Sequence, residues 1–312
     1  MKLFITGATG FVGLNLVEQL QSEDFDVTVL VRPDSPTERL PENVSLVTGD
    51  IKHPDTYDEE LTDIDTIVHL AATSNVTLGE RFVRETNFVG SKKLFSSAER
   101  QGVNQIVFTS TIWAHKECRE NPTIGQSNPY VQSKIDVEDY LLNENYSFDF
   151  SIIYPTHVMG PNDYQLNRYS MFYRVAANRI LMPPLYIPGR WNIVHVNDVI
   201  SSIIECFDDT SIQRRIASGD TVSSKTLCKL ISEIGDFSCT IIPISSFVHS
   251  KILLPSIVKA GKLNIIADRE YEQLDSQAHV AVPPESLEGN TDSDLATVIE
   301  DSIDWYKSVG LL

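Results

Sequence analysis

Tyr130 and Lys134, in Asn128-Pro129-Tyr130-Val131-Gln132-Ser133-Lys134, are the two side chains here best suited to moving a proton. Pro129 suits the first turn of a helix, and on a helix a spacing of four puts both side chains on one face. A free phenol titrates near pH 10, too high for ready exchange at neutral pH. An ammonium beside it favours the phenolate and lowers that value, so the phenol can serve as acid or base. Such a pair fits reduction of a carbonyl or oxidation of an alcohol. Two solvated helix residues would show the same spacing, so the pair counts only in company. A hydroxyl-bearing run, Phe108-Thr109-Ser110-Thr111, ends an apolar stretch a short way upstream.

A second group of residues supplies a partner for that chemistry. Leu3-Phe4-Ile5 is an apolar run of strand length, and a helical pattern with Leu16, Val17 and Leu20 on one face follows it. Between them Gly7, Gly10 and Gly13 stand three apart. Each can meet a separate need: a tight turn, a backbone open to a pyrophosphate, and close packing of helix on strand. The helix would aim its N–H groups and positive dipole end at the phosphates of a dinucleotide. Past the next strand, residues 27–31, stands Arg32. An arginine there suits the 2′-phosphate of NADP, whereas an acid would suit NAD. A solvated loop arginine is the ordinary alternative, and Asp34 keeps NAD open.

The elements that must hold these residues alternate along the first half. Strand signals at 3–5, 27–31, 44–47, 66–70 and 105–109 are separated by helical patterns at 55–61 and 81–101. Short buried strands with crossover helices predict an α/β fold with a doubly wound parallel sheet. The chain has 312 residues, 42% of them hydrophobic, enough for a large core. Its net charge of -18 argues against nucleic acid or an anionic membrane as partner. Four cysteines with no ligand spacing to the seven histidines speak against a structural metal, and a reducing cytoplasm is the expected home. With no apolar run near about 18 residues, neither a signal peptide nor a membrane span is expected.

Taken together, the glycine triplet, the hydroxyl run and the Tyr-x-x-x-Lys pair resemble the extended short-chain dehydrogenase/reductase family, the NAD-dependent epimerase/dehydratase group, over essentially the whole chain. The resemblance implies a Rossmann domain over residues 1–160, joined by a returning segment near 193–215. The rest, 161–312, would be mainly a smaller α/β substrate domain. It makes Tyr130 the proton donor or acceptor, has Lys134 lower its pKa and hold the nicotinamide ribose, and puts Thr111 where relatives carry a serine that polarises the substrate oxygen. Ser110 is the fallback for that hydroxyl. Gly7, Thr9, Gly10, Phe11 and Val12 would line the pyrophosphate, Asp50 and Ile51 the adenine, Leu70, Ala71 and Ala72 the dinucleotide, and Asn87 matches an Asn-x-x-Gly pattern of the family. Asp50 could equally be a turn cap. His69 reads as a core or capping histidine. Tyr154, Pro155 and His157, ahead of Gly160-Pro161, match a segment whose backbone lies along the nicotinamide in relatives.

Two departures bear on the substrate. Where relatives have Val-Tyr-Gly this chain has Trp113-Ala114-His115, and where nucleotide-sugar epimerases place an arginine it has Trp191, with Arg190 one place off. An aromatic at 191 suits a flatter, less charged substrate, closer to the dihydroflavonol-reductase-like branch. The expected activity is therefore an NADP(H)-dependent oxidoreductase interconverting a ketone and a secondary alcohol, on a small-molecule substrate. A nucleotide-sugar epimerase or dehydratase working through a transient ketone is the alternative, and a non-catalytic scaffold the third reading. Asp198 reads as a helix cap, 247–266 as a lid or core helix interrupted by Pro255, 284–294 as a solvated acidic loop, and 296–305 as a closing helix. Relatives commonly pair through helices matching 81–101 and 130–143, which implies a homodimer.

Overall fold

Leu3, Phe4 and Ile5, like Ile67 and Val68 and then Ile106 and Val107, are fully buried, as strands covered by helices on both faces must be. In this computed structural model they belong to β1 (Lys2–Thr6), β4 (Thr66–His69) and β5 (Gln105–Thr109), alongside which run β2 (Asp26–Val31), β3 (Ser45–Thr48) and β6 (Asp149–Pro155). Further strands are β7 (His157–Met159), β8 (Leu185–Tyr186), β9 (Arg190–His195), β10 (Arg214–Ala217), β11 (Asp220–Ser223) and β12 (Ile242–Pro243). The helices are α1 (Phe11–Leu20), α2 (Glu80–Arg84), α3 (Gly90–Gln101), α4 (Lys116–Arg119), α5 (Pro129–Asn143), α6 (Ser170–Ala176), α7 (Val196–Asp208), α8 (Ser224–Gly235) and α9 (Leu295–Ser308). The structure describes residues 1–22, 24–119, 128–166, 170–177, 185–186, 189–208, 214–238, 242–243 and 292–312.

The chain divides into two units, one of Met1–Thr156 with Val196–Ala217 and one of His157–His195 with Ser218–Leu312. In the first, the strands run in the order β10-β6-β5-β4-β1-β2-β3, and every neighbouring pair is parallel. The winding reverses between β1 and β4, and sheets of this kind bind ligands beyond the carboxyl ends of the strands at that reversal. Gly7 follows one of these two strands and Leu70 the other. The segment 196–217 closes this unit: α7 packs on α1, and β10 pairs with the far edge of β6.

In the second unit β9 runs antiparallel to β11 and parallel to β7. Trp191, Ile193, Phe172, Tyr173, Ile231 and Ile303 are among the residues of its core. Side-chain caps start two of its helices: Ser223 accepts from Thr226 N at 3.0 Å and Asp294 from Thr297 N at 2.8 Å. Asp198 lies in the first turn of α7. The segments 247–266 and 284–291 lie outside the described residues. Among the described residues no helix is long and apolar enough to cross a membrane.

Two helical expectations change form. The 55–61 pattern makes two short 3-10 turns, Pro54–Thr56 and Asp58–Leu61, separated by Tyr57 at φ -149°. Tyr57 is buried and its hydroxyl donates to Ile51 O at 3.1 Å, a tertiary anchor that breaks a continuous helix. The 81–101 pattern is interrupted by a π-turn, Glu85–Val89, between α2 and α3. Asn87 sits inside that turn.

Candidate active site

The glycines act through close approach. Gly7 has φ +80°, and a Cβ there would stand 2.7 Å from Ala71 N and 2.8 Å from Leu70 C. A Cβ on Gly13 would stand 2.2 Å from Gly7 O, so the first turn of α1 lies directly on the loop. Gly10 caps that helix: its N–H donates to Gly7 O at 3.0 Å and its carbonyl accepts from Leu14 N at 2.9 Å. It offers no side-chain cap, and Thr9, Gly10, Phe11 and Val12 are partly exposed. A helix start with uncapped, accessible N–H groups beside bare backbone suits a pyrophosphate. A dinucleotide fits this cradle, because Gly7 and Gly13 let the Ala71 backbone and α1 close directly on the turn while the start of α1 carries no side-chain cap.

Residues expected along the rest of the dinucleotide fall at the ends of neighbouring strands. Arg32 and Asp34 are exposed in a turn past β2, where Arg32 N–H donates to Ser35 Oγ at 3.2 Å. Asp50, past β3, accepts from Lys52 N at 2.9 Å through Oδ1 and pairs through Oδ2 with its ammonium at 3.5 Å, the geometry of a turn cap. Ile51 is buried against Gly90. Leu70 and Ala71 are half-buried and Ala72 is exposed.

The proton-moving pair is built by α5. Asn128 caps it, its Oδ1 accepting from Tyr130 N at 2.9 Å, and Pro129 occupies the first turn. Tyr130 is half-buried, whereas Lys134 is only 3% exposed. The Lys134 ammonium donates to Thr109 O at 2.6 Å and lies 4.6 Å over the Phe108 ring and 6.0 Å from the Tyr130 ring centre. Burial pushes this ammonium down to about 7, against the opposing pull of the Glu138 carboxylate. Of the two candidate hydroxyls, Ser110 donates to Glu138, and Thr111 starts the 3-10 turn Ile112–Ala114 next to it.

Glu138 was not foreseen, though Tyr130, Lys134 and Glu138 recur every four residues and so share one helix face. Its carboxylate is buried, accepting from Arg119 Nη2 at 2.9 Å and from the Tyr154 hydroxyl at 3.0 Å as well as from Ser110. Burial raises its pKa while those donors oppose the rise. Tyr154 therefore turns its phenol toward α5, and Pro155 ends β6 beside it.

His157 belongs to the second unit. Its Nδ1 donates to Asn192 O at 2.8 Å and its ring meets Trp191 edge-on at 5.2 Å. Trp191 corrects the reading of an aromatic that faces substrate: it is 3% exposed, packs on Phe172, and donates from Nε1 to Ser224 Oγ at 2.9 Å. It fills a core, and Arg190 beside it is exposed. Alternation along β9 sends neighbours to opposite faces, so a one-place offset from the expected arginine reverses which residue points out.

A parallel sheet that reverses over a glycine turn, with a Tyr/Lys helix after β5, defines a dinucleotide-binding α/β protein of the short-chain dehydrogenase/reductase type. The family model described as "NAD dependent epimerase/dehydratase family" matches residues 3–213, and the chain belongs to that family, whose members use a nicotinamide dinucleotide. It is 26% identical over 212 residues to sterol demethylase protein B of Methylococcus capsulatus, covering 64% of each chain. It is 27% identical over 209 residues to a putative dihydroflavonol 4-reductase of Synechocystis, covering 63% of this chain and 60% of that one. Against the UDP-glucose 4-epimerase of Vibrio cholerae the identity is 26% over 247 residues, 73% of this chain and 74% of the other. The matches thus span a little under two thirds of the first two relatives. Among solved structures, the Bordetella bronchiseptica enzyme WbmH in complex with NAD+ superposes with a TM-score of 0.74 at 18% identity, covering 99% of both chains. The UDP-glucose 4-epimerase from Thermotoga maritima gives 0.73 at 17%, again over 99% of both. These two likenesses establish the fold.

Proposed function

We propose that this protein is an NADP(H)-dependent oxidoreductase that interconverts a ketone and a secondary alcohol on a small molecule. The observation that carries the reading is the buried Lys134 ammonium, one helical turn from a half-buried Tyr130 phenol. A positive charge with few waters around it favours the phenolate more strongly than one in solution. Tyr130 then gives its hydroxyl proton to the forming alkoxide in reduction, or takes the alcohol proton in oxidation. Thr111 is the hydroxyl that polarises the substrate oxygen, because Ser110 next to it already spends its proton on Glu138. The dinucleotide, when bound, supplies or accepts the hydride. Gly7, Gly10 and the start of α1 hold its pyrophosphate, and Lys134 holds its nicotinamide ribose. The exposed Arg32 past β2 favours the 2′-phosphate of NADP.

With Trp191 in a core, the preference for a ketone over a sugar nucleotide rests on Arg32 and on the reductases among the relatives. The longer match to a UDP-glucose 4-epimerase supports the second reading, in which the same Tyr130, Lys134 and Thr111 pass through a transient ketone. One experiment separates them: the purified chain is supplied with a panel of ketones and sugar nucleotides while NADPH and NADH absorbance and product stereochemistry are followed. Net NADPH consumption with a ketone is expected. Tightly retained NAD with sugar epimerisation and no net consumption makes the protein an epimerase. Tyr130→Phe should lower turnover at least about 100-fold with dinucleotide affinity nearly unchanged; substantial remaining activity removes Tyr130 from the chemistry.

A further inference from the structure

The glycine turn and the Tyr130 helix are joined by hydrogen bonds through His69, a residue with no part in the proton chemistry above. Thr6, His69, Ser91 and Asn87 are each 1% exposed or less. Ala71 N–H donates to Thr6 Oγ1 at 3.2 Å, Thr6 Oγ1 meets His69 Nδ1 at 2.7 Å, and His69 Nε2 meets Ser91 Oγ at 2.8 Å. Ser91 in turn donates to Asn87 O. These contacts admit one arrangement of protons. The Asn87 carbonyl has none to give, so the Ser91 proton goes there and Ser91 Oγ must accept from His69 Nε2–H. His69 Nδ1 is then bare and accepts the Thr6 proton, which leaves Thr6 Oγ1 to accept from Ala71. Burial together with the nearby Lys134 ammonium holds the imidazole down to about 3, so it stays neutral and keeps this tautomer.

Both ends of the chain reach the site. Ala71 is the residue whose backbone N would stand 2.7 Å from a Cβ on Gly7. Asn87 is in the π-turn, and its side chain clamps Thr73, accepting from Thr73 N at 2.8 Å and donating to Thr73 O at 2.9 Å. It also donates to Ser133 Oγ at 2.9 Å, and Ser133 donates to Tyr130 O at 2.7 Å on α5. We infer that His69 is a positioning residue, held as the Nε2–H tautomer, through which one directed run of hydrogen bonds sets the Ala71 loop beside the glycine turn and the Asn87 turn beside Tyr130 as a unit. Packing alone would not need it: the ring stacks on Phe108 at 5.7 Å and meets Phe95 edge-on at 5.8 Å, contacts that a phenylalanine would make equally well.

The effect on cofactor affinity rests on the dinucleotide reading; the tautomer does not. The test uses the full chain, with ¹⁵N-labelled histidine and His69 assigned by its loss in His69→Phe. Wild type should show the Nε2–H tautomer, unchanged from pH 5 to 8. NADPH titration should show Thr6→Val and Ser91→Ala each weakening binding about five- to tenfold, the size of one buried hydrogen bond, while Thr6→Ser stays within about twofold of wild type. The double variant Thr6→Val/Ser91→Ala should bind no worse than either single one, because both cut the same chain. An Nδ1–H tautomer, an imidazole that titrates in that range, additive losses, or equal behaviour of Thr6→Val and Thr6→Ser would each overturn the inference. If Thr6→Val does not fold, the wild-type tautomer and Ser91→Ala against Ser91→Thr decide it. If wild type binds neither NADPH nor NADH, the cofactor reading fails, and the tautomer with the same variant cycle read in thermal stability still tests the relay.

Discussion

Lys134 is a buried cation in the first unit. Its Nζ sits against the Phe108 ring and the Thr109 carbonyl, and burial lowers its pKa from 10.5 to about 7. The unfolded chain then binds a proton that the folded one does not between about pH 7 and 10.5, so folding stability should rise with pH across that window and carry a constant handicap below it. Lys134→Met removes the charge and keeps the volume. It should abolish turnover and raise the melting temperature at pH 6 by more than at pH 10, as read in paired thermal melts. A variant that melts lower at both pH values would show that the cation is paid back in full by Glu138 and its neighbours. Glu138 behaves in the opposite sense: Arg119→Met strips a buried carboxylate of its cation and should cost about 3–5 kcal/mol in urea unfolding at pH 7, and less at pH 5, where a carboxyl with a raised pKa takes up a proton more readily.

The glycine turn and α1 work as one element, since backbone lies on backbone where β1 meets the helix. Gly13→Ala would put a methyl 2.2 Å from Gly7 O, with no flexible side chain there to yield. The expected cost is about 1–3 kcal/mol of unfolding free energy, with dinucleotide binding weakened further because α1 must tilt off the loop. Equal stability and equal affinity would mean that the helix has room that the structure denies it. The triplet spacing announced this element in the sequence, as Asn128-Pro129 announced the start of α5. The π-turn at Glu85–Val89 had no such sign, and Asn87 inside it is held by Thr73 and Ser133 on other segments. For the same reason His69 read only as a core or capping residue: its partners Thr6 and Ser91 lie on other elements.

Across the molecule, the dinucleotide-binding unit is discontinuous. Residues 196–217 complete it, with α7 covering α1 and β10 pairing with β6. A fragment ending at residue 160 would leave an apolar stripe of α1 bare and the backbone of β6 unpaired along one edge. It should aggregate or lose most of its tertiary signal in near-ultraviolet circular dichroism, where the full chain remains folded. A stable monomeric fragment with native-like circular dichroism would show that the returning segment is dispensable.

Local rules made the parallel sheet, the glycine turn and the Tyr/Lys helix face legible, because each depends on short-range periodicity, glycine conformation or one helical turn. Everything that depends on which residues meet across the chain came only with folding. Trp191 points into a core because β9 alternates and its neighbours happen to be Phe172 and Ser224. Glu138 becomes the counter-charge of Lys134 because β5, α4 and β6 deliver Ser110, Arg119 and Tyr154 to one buried oxygen pair. A residue's type sets what chemistry it can do, but its pKa and its hydrogen-bond partners are set by solvent exclusion and by distant groups, and those are properties of the folded chain.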